Sequence, residues 1–226
     1  MSNWNYSGGS RWGSIPMAIR NLVIINALVW LATTFTGDSM YEEFALFPLG
    51  STFFKWWQIV THMFMHGGFW HIFFNMYTLL MFGMVLEQVW GSRKFLVFYF
   101  ATGLGAALCH LLVLHFQVDY LMAHGQVAAA WDILRTPTVG ASGAIYGVLL
   151  GFAMLNPTAE LRLLIFPFFP LKAKWMVIIF GAIELLLGVS GAEGNVAHFA
   201  HLGGMVFGWL IIRYWRKRHK LYNSEL

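Results

Sequence analysis

The chain has 226 residues, 58% of them hydrophobic and only 11% charged, with a mean hydropathy of +0.62. A soluble domain is about one-quarter charged, so this balance excludes an ordinary water-soluble enzyme and belongs to a membrane protein. The net charge of +4 comes from basic residues scattered between apolar runs, not gathered in one patch, which excludes a nucleic-acid partner. A single Cys excludes an intrachain disulfide and a cysteine-based metal site.

Residues 1–15 are polar and Gly/Ser-rich, and resemble no cleavable signal because no small-residue cleavage site follows a short apolar run. They read as a short cytoplasmic N-terminal segment. A helix needs about 20 apolar residues to cross about 30 Å of hydrocarbon. Six spans follow: 17–36, 69–90, 95–117, 142–156, 173–190 and 195–214. Gly37, Gly91 and Gly191 mark span ends, and Pro157, Pro167 and Pro170 punctuate the segment after the fourth span. The expected fold is all-α: a polytopic six-transmembrane-helix bundle over 16–214, then a basic cytoplasmic tail over 215–226.

Charge orients the bundle. With the N-terminus cytoplasmic, only Lys55 and Arg135 of the 14 Lys and Arg residues fall outside, as the positive-inside rule requires. Both termini are then cytoplasmic, in a cell inner or plasma membrane. The first outer loop, 37–68, is aromatic and weakly charged, so it is expected to lie in the outer interface. The outer segment 118–141 carries Ala128–Ala130 before Trp131, the pattern of a short surface helix.

The fourth span is too short. About 15 residues at 1.5 Å each give roughly 22 Å. If its inner end reaches the cytoplasmic interface, Ser142 begins below the outer surface. Non-helical backbone there, 138–141, is tolerated only inside protein or beside a water-filled cavity.

Three segments carry candidate chemistry. His71 and Asn75 lie four apart on one face of the second span, where two donors could hold an oxyanion. Alternatively, both make interhelical hydrogen bonds. Ser142, in Gly140-Ala141-Ser142-Gly143, starts a helix whose N–H groups and positive dipole end favour a negative intermediate. A plain helix cap is the alternative reading. On the last span His201, Gly204 and Gly208 share a face. Gly143, Gly147 and Gly151 form a small-residue stripe on the fourth, so close packing of the two spans would bring Ser142 and His201 together. Neutral imidazole could then accept the serine proton; an interhelical hydrogen bond is equally open for His201. Glu87 is expected to pair with Arg93 or to cap backbone. Glu184 is assigned to hydrogen-bonded packing, with a lateral substrate gate as the alternative. His110 is expected to be near-interface or interhelical.

Taken together, the three motifs resemble the rhomboid family of intramembrane serine proteases, from Trp57 to about Gly208: GxSG, HxxxN and HxxGxxxG all occur. The resemblance implies a rhomboid-like bundle in which Ser142 is the nucleophile and His201 the base, a dyad without a carboxylate. His71 and Asn75, with the Ser142 N–H, form the oxyanion hole, and Tyr146 packs on the imidazole. His62 and His66 match the family's structural histidines and Trp57 its loop tryptophan, followed by Gln58 where the family often has Arg. His201 is preferred to His198 because only His201 stands three residues before Gly204 and seven before Gly208. Substrates implied are single-span or other transmembrane proteins, with membrane lipid around them and no metal or other cofactor.

Competing readings are an inactive rhomboid-like protein that binds membrane helices, a di-iron enzyme, an intramembrane zinc protease and a transporter. The first would be marked by a missing Ser or His. The histidine pairs here are too few for a di-iron site, no HExxH occurs, and no inverted repeat is visible.

Overall fold

The computed structural model describes residues 15–163, 166–190 and 198–222. The expected span end at Gly191 and most of the N-terminal segment lie outside these residues. Helix α1, Met17–Thr36, and the continuous helix Phe69–Trp90 agree with the first two expected spans. The second is built of α4 (Phe69–Thr78), a π-helical turn (Leu79–Gly83) and α5 (Met84–Trp90). Then follow α6 (Ser92–Ala123), α8 (Ser142–Leu155), α9 (Ala173–Ser190) and α10 (His198–Lys217). Together they form a polytopic helical bundle.

Alpha 8 sits at the centre: nine of its 14 residues are buried. It is flanked by α6 and α10, which also pack on each other. By contrast α9 buries only Ala173, Met176, Val177 and Glu184, leaving Leu186 and Val189 exposed as a lipid-facing surface. Packing in the centre depends on small residues, because lipid tails give helices no hydrophobic reason to associate. A Cβ on Gly204 would stand 1.9 Å from the Gly143 carbonyl oxygen, and one on Gly208 would stand 3.4 Å from Gly147 Cα. The expected α8–α10 seam therefore exists, with a refinement. The side-chain directions of Gly143 and Gly147 point at Ala106 and Thr102 of α6, 2.5 and 2.6 Å from an added Cβ. The stripe on α8 thus lets two helices approach.

Two short helices fold the first loop, α2 (Asp38–Phe44) and α3 (Gln58–Thr61), followed by a 3-10 turn, His62–Phe64. Gln58 is fully buried and ties this loop together. Its Oε1 accepts from Lys55 N at 3.0 Å, and its Nε2 donates to the carbonyls of Glu42 (3.1 Å) and Phe53 (3.0 Å). A neutral amide supplies both donors and an acceptor here, whereas an Arg would offer donors only. Trp57 Nε1 donates to the Glu43 carbonyl at 3.0 Å. In the segment 118–141, α6 continues to Ala123 and α7 (Val127–Arg135) is the expected short helix.

Three details add to the expected elements. The expected helical bundle carries one short addition: Glu160–Leu163 and Phe166–Lys172 pair as an antiparallel hairpin, β1–β2. Pro167 and Pro170 bar a helix there, and an edge strand tolerates their missing N–H groups. Of the two roles expected for Glu87, pairing with Arg93 or capping backbone, the second holds. Its carboxylate accepts from the backbone N–H groups of Ala18 and Ile19, both at 2.8 Å, and from Ser92 Oγ at 2.6 Å. It therefore serves as the N-cap that Pro16 cannot provide for α1. Finally, the last helix runs on to Lys217, and the tail folds back, burying Leu221 and placing the Lys220 carbonyl against Lys94 Nζ.

Candidate active site

The approach to α8 shows how the irregular backbone before it is satisfied. Leu46 and Thr138 exchange two backbone hydrogen bonds, at 2.9 and 2.8 Å, and Gly140 N donates to the His62 carbonyl at 2.9 Å. His110 Nε2 meets Thr138 Oγ1 at 2.7 Å, which makes His110 a buried anchor for this strand. Backbone polar groups are thus paired inside protein, as an apolar surrounding demands. Gly140 adopts φ +126, and a Cβ there would also lie 2.8 Å from His71 Nε2. Both the conformation and the space call for glycine.

Ser142 is the first residue of α8, with Ala141 as N-cap and no side-chain capping bond. The plain-cap reading is therefore set aside: the hydroxyl is used elsewhere. Ser142 Oγ lies 2.8 Å from His201 Nε2. The first backbone N–H groups of α8 have no carbonyl one turn earlier in the helix to accept them.

Tyr146, one turn after Ser142, stacks on the His201 ring with centroids 4.3 Å apart and planes 7° apart. This fixes the imidazole plane. His71 and Asn75 line a cavity of about 430 Å³ together with Ser142, Tyr146 and His201. His71 Nδ1 accepts from Gly67 N at 3.3 Å, so its other ring nitrogen carries the proton and turns toward Gly140. One amide N–H of Asn75 is engaged with the His71 carbonyl at 3.0 Å; the second is left for the cavity. All five site residues expected from the sequence thus meet in one place.

Glu184 is hydrogen-bonded as expected, but its place beside the base is what sequence reasoning missed. The resemblance implies a base with no carboxylate beside it, yet Glu184 Oε1 lies 3.0 Å from His201 Nδ1. The contact is at an angle too oblique for a full hydrogen bond, and Nδ1 has no other hydrogen-bond partner among the described residues. Glu184 also accepts from Tyr146 Oη through Oε1, and its Oε2 lies 2.6 Å from His198 Nδ1. The signal available in the sequence was one acid in an otherwise apolar span, which is costly unless partnered. Glu184, His198 and His201 bring one ligand atom each within 4.8 Å of one another, close enough for a divalent cation. Hydrogen bonding already accounts for that convergence.

The geometry can be set beside known proteins. A family model described as the Rhomboid domain matches residues 54–218. The chain belongs to the rhomboid family. It is 26% identical to Rhomboid protease AarA of Providencia stuartii, over 95% of this chain and 78% of that protein. It is 30% identical to RHOMBOID-like protein 12, mitochondrial, of Arabidopsis thaliana, over 88% of this chain and 60% of the relative. It is 28% identical to Rhomboid protease GluP of Bacillus subtilis, over 69% of this chain and 25% of the relative. The chain thus spans between a quarter and four-fifths of these relatives' lengths. Membership and the apolar helices together make it an integral, multi-pass membrane protein.

Proposed function

We propose that this rhomboid is an intramembrane serine endopeptidase that hydrolyses peptide bonds of transmembrane proteins. The observation that carries the proposal is the 2.8 Å contact between Ser142 Oγ and His201 Nε2 at the wall of a cavity bounded by His71 and Asn75. His201 Nε2 accepts the Ser142 proton as Oγ attacks the scissile carbonyl. Negative charge developing on the carbonyl oxygen meets the Ser142 N–H, the His71 ring N–H and the free Asn75 amide N–H. Collapse of the tetrahedral intermediate breaks the C–N bond, and His201 passes its proton to the leaving amine. Water, deprotonated by the same imidazole, then hydrolyses the acyl-serine ester and restores Ser142.

Relatives named as proteases support this reading. It carries with it the orientation argued from charge, both termini cytoplasmic and the cavity opening to the outer side, with the six-span domain over 16–214. The decisive test is incubation of purified protein with a single-span reporter, comparing wild type with Ser142→Ala. Cleavage lost in the variant supports the reading. Cleavage retained in the variant rejects it in favour of another nucleophile, and no cleavage by wild type favours an inactive, helix-binding rhomboid-like protein.

A further inference from the structure

Of the four buried residues on α9, three lie in its first five positions, and Glu184 stands alone more than a turn further on. A carboxylate in a lipid-facing span is costly and persists where something holds it. What holds it here comes from both neighbouring helices. Tyr146 is one turn after Ser142 on α8, and His198 and His201 lie at i and i+3 on one face of α10. Glu184 accepts from Tyr146 Oη, meets His198 Nδ1 at 2.6 Å and faces His201 Nδ1 at 3.0 Å. Its side chain is only 9% exposed.

We propose that Glu184 is the positioning residue of the base: it selects the His201 tautomer protonated at Nδ1, leaving Nε2 free for Ser142. Two routes act on the same ring. The first is direct, because an acceptor beside Nδ1 favours a proton there and stabilises the imidazolium formed when Nε2 takes the serine proton. The oblique angle in the resting state is consistent with this, since such hydrogen bonds tighten when the reacting complex forms. The second route runs through Tyr146. Its hydroxyl is tied to Glu184 and its ring lies flat on His201, so the carboxylate sets where the stacking platform sits. His198 shares the carboxylate and fixes the orientation of Oε2. The structure thus replaces a two-residue site with a relay of Ser142, His201 and Glu184, buttressed by Tyr146 and His198.

This inference rests on the serine-protease reading, and the experiment separates the two. A fluorophosphonate probe, which forms a bond to an activated serine Oγ with loss of fluoride, is reacted with wild type, Ser142→Ala, Glu184→Gln and Glu184→Asp. Cleavage of a single-span reporter is followed in parallel. Labelling lost in Ser142→Ala supports the parent reading; labelling unchanged there rejects that reading itself. Given a labelled Ser142, Glu184→Gln should lower both labelling rate and kcat on the order of 10²-fold with KM unchanged, the cost of a base misplaced by about an ångström. Glu184→Asp, which keeps the charge but sits one methylene back, should recover about tenfold of that loss, because it restores what positions the ring.

A packing role predicts the opposite order. Gln fills the same volume and still accepts from Tyr146, while Asp leaves a gap. Wild-type rates in Glu184→Gln, or Gln outperforming Asp, overturn the proposal. Labelling in unextracted membrane vesicles carries the same comparison if a variant does not survive purification. Loss of wild-type activity on adding a divalent-cation chelator also overturns it, because Glu184 and His201 would then be serving an ion.

Discussion

Gly204→Ala adds one carbon atom, and the structure states where it goes: 1.9 Å from the Gly143 carbonyl oxygen. A carbon and a carbonyl oxygen in contact ordinarily stay about 3.3–3.6 Å apart. The seam between α8 and α10 must therefore open by about 1.5 Å, since neither partner is a side chain that could turn aside. Gly204 lies three residues after His201, and Gly143 directly follows Ser142, so the opening falls one turn from the Oγ–Nε2 contact. Adding it to a 2.8 Å separation takes the pair beyond hydrogen-bond range. The expected loss in kcat is at least on the order of 10²-fold, with overpacking costing about 1–3 kcal/mol of stability. Gly181→Ala is the control. A Cβ there meets Met205 Cε at 3.1 Å, the far end of a flexible side chain, so rates should stay near wild type. The assay is reporter cleavage by folded, monodisperse protein, with thermal melting recorded beside it. Full kcat and an unchanged melting temperature in Gly204→Ala would refute the seam as the device that brings Ser142 to His201.

Further outcomes follow from the same site. Ser142→Ala and His201→Ala should each abolish cleavage and the double variant should be no worse, because groups acting as a unit are non-additive; His198→Ala should keep measurable kcat in the same assay. Asn75→Ala and His71→Ala should each lower kcat by ~10²–10³ with little change in KM, as loss of an oxyanion donor does; normal turnover in either would show that the side chain only packs. Burial pushes His62 and His66, both outside the spans, down to about 4. A histidine depressed in the folded state is stable as the neutral form, so stability is flat above the unfolded value of about 6.5 and falls as pH drops through the window from 6.5 to 4. The limit is about 3 kcal/mol per group, read as a falling melting temperature that His62→Gln should partly flatten. Glu87→Ala should free the N-terminus of α1 and cost ~1–2 kcal/mol of stability, seen in melting, while kcat measured well below the melting point stays unchanged.

Different parts of this protein were legible in its sequence to different degrees. Span positions could be read because membrane length imposes an apolar run on each, and Met17–Thr36 and Ala173–Ser190 follow the expected limits. The approach of Ser142 to His201 could be read from the small-residue faces of two spans, while the places of His71, Asn75 and Tyr146 beside them followed from the resemblance. The partner of a long polar side chain could not. Glu87 has Arg93 close in sequence, but it reaches backbone N–H groups 68 and 69 residues away. Likewise the stripe on α8 was legible as small, yet nothing in it says that Gly147 turns its empty side toward Thr102 rather than toward α10. Pairing of Glu160–Leu163 with Phe166–Lys172 hides in a segment whose prolines read only as helix breakers.

The way the helices divide their work bears on why Glu184 reads in the sequence as packing alone. Four helices, Met17–Thr36, Phe69–Trp90, Ser92–Ala123 and Ala173–Ser190, are long and apolar enough to cross a membrane. The pair that supplies Ser142 and His201 departs from that pattern. Alpha 8 is shorter, with 14 residues, and α10 carries His198, His201, Gly203 and Gly204 in its first two turns. Chemistry therefore concentrates where the span signal is weakest, and a search for function goes there first. Alpha 9 satisfies the span pattern and places one acid within it. In such a helix the hydrophobic surroundings penalise an unpartnered carboxylate, and among the described residues Glu184 is held by what α8 and α10 present to it. Removing those partners should therefore be felt on α9: His198→Ala combined with Tyr146→Phe leaves Glu184, among the described residues, with His201 and should loosen α9 from the bundle. Faster backbone amide exchange along Ala173–Ser190, with α6 unchanged, is the expected result. Equal protection of α9 in wild type and the double variant would mean the carboxylate is not what fastens that helix.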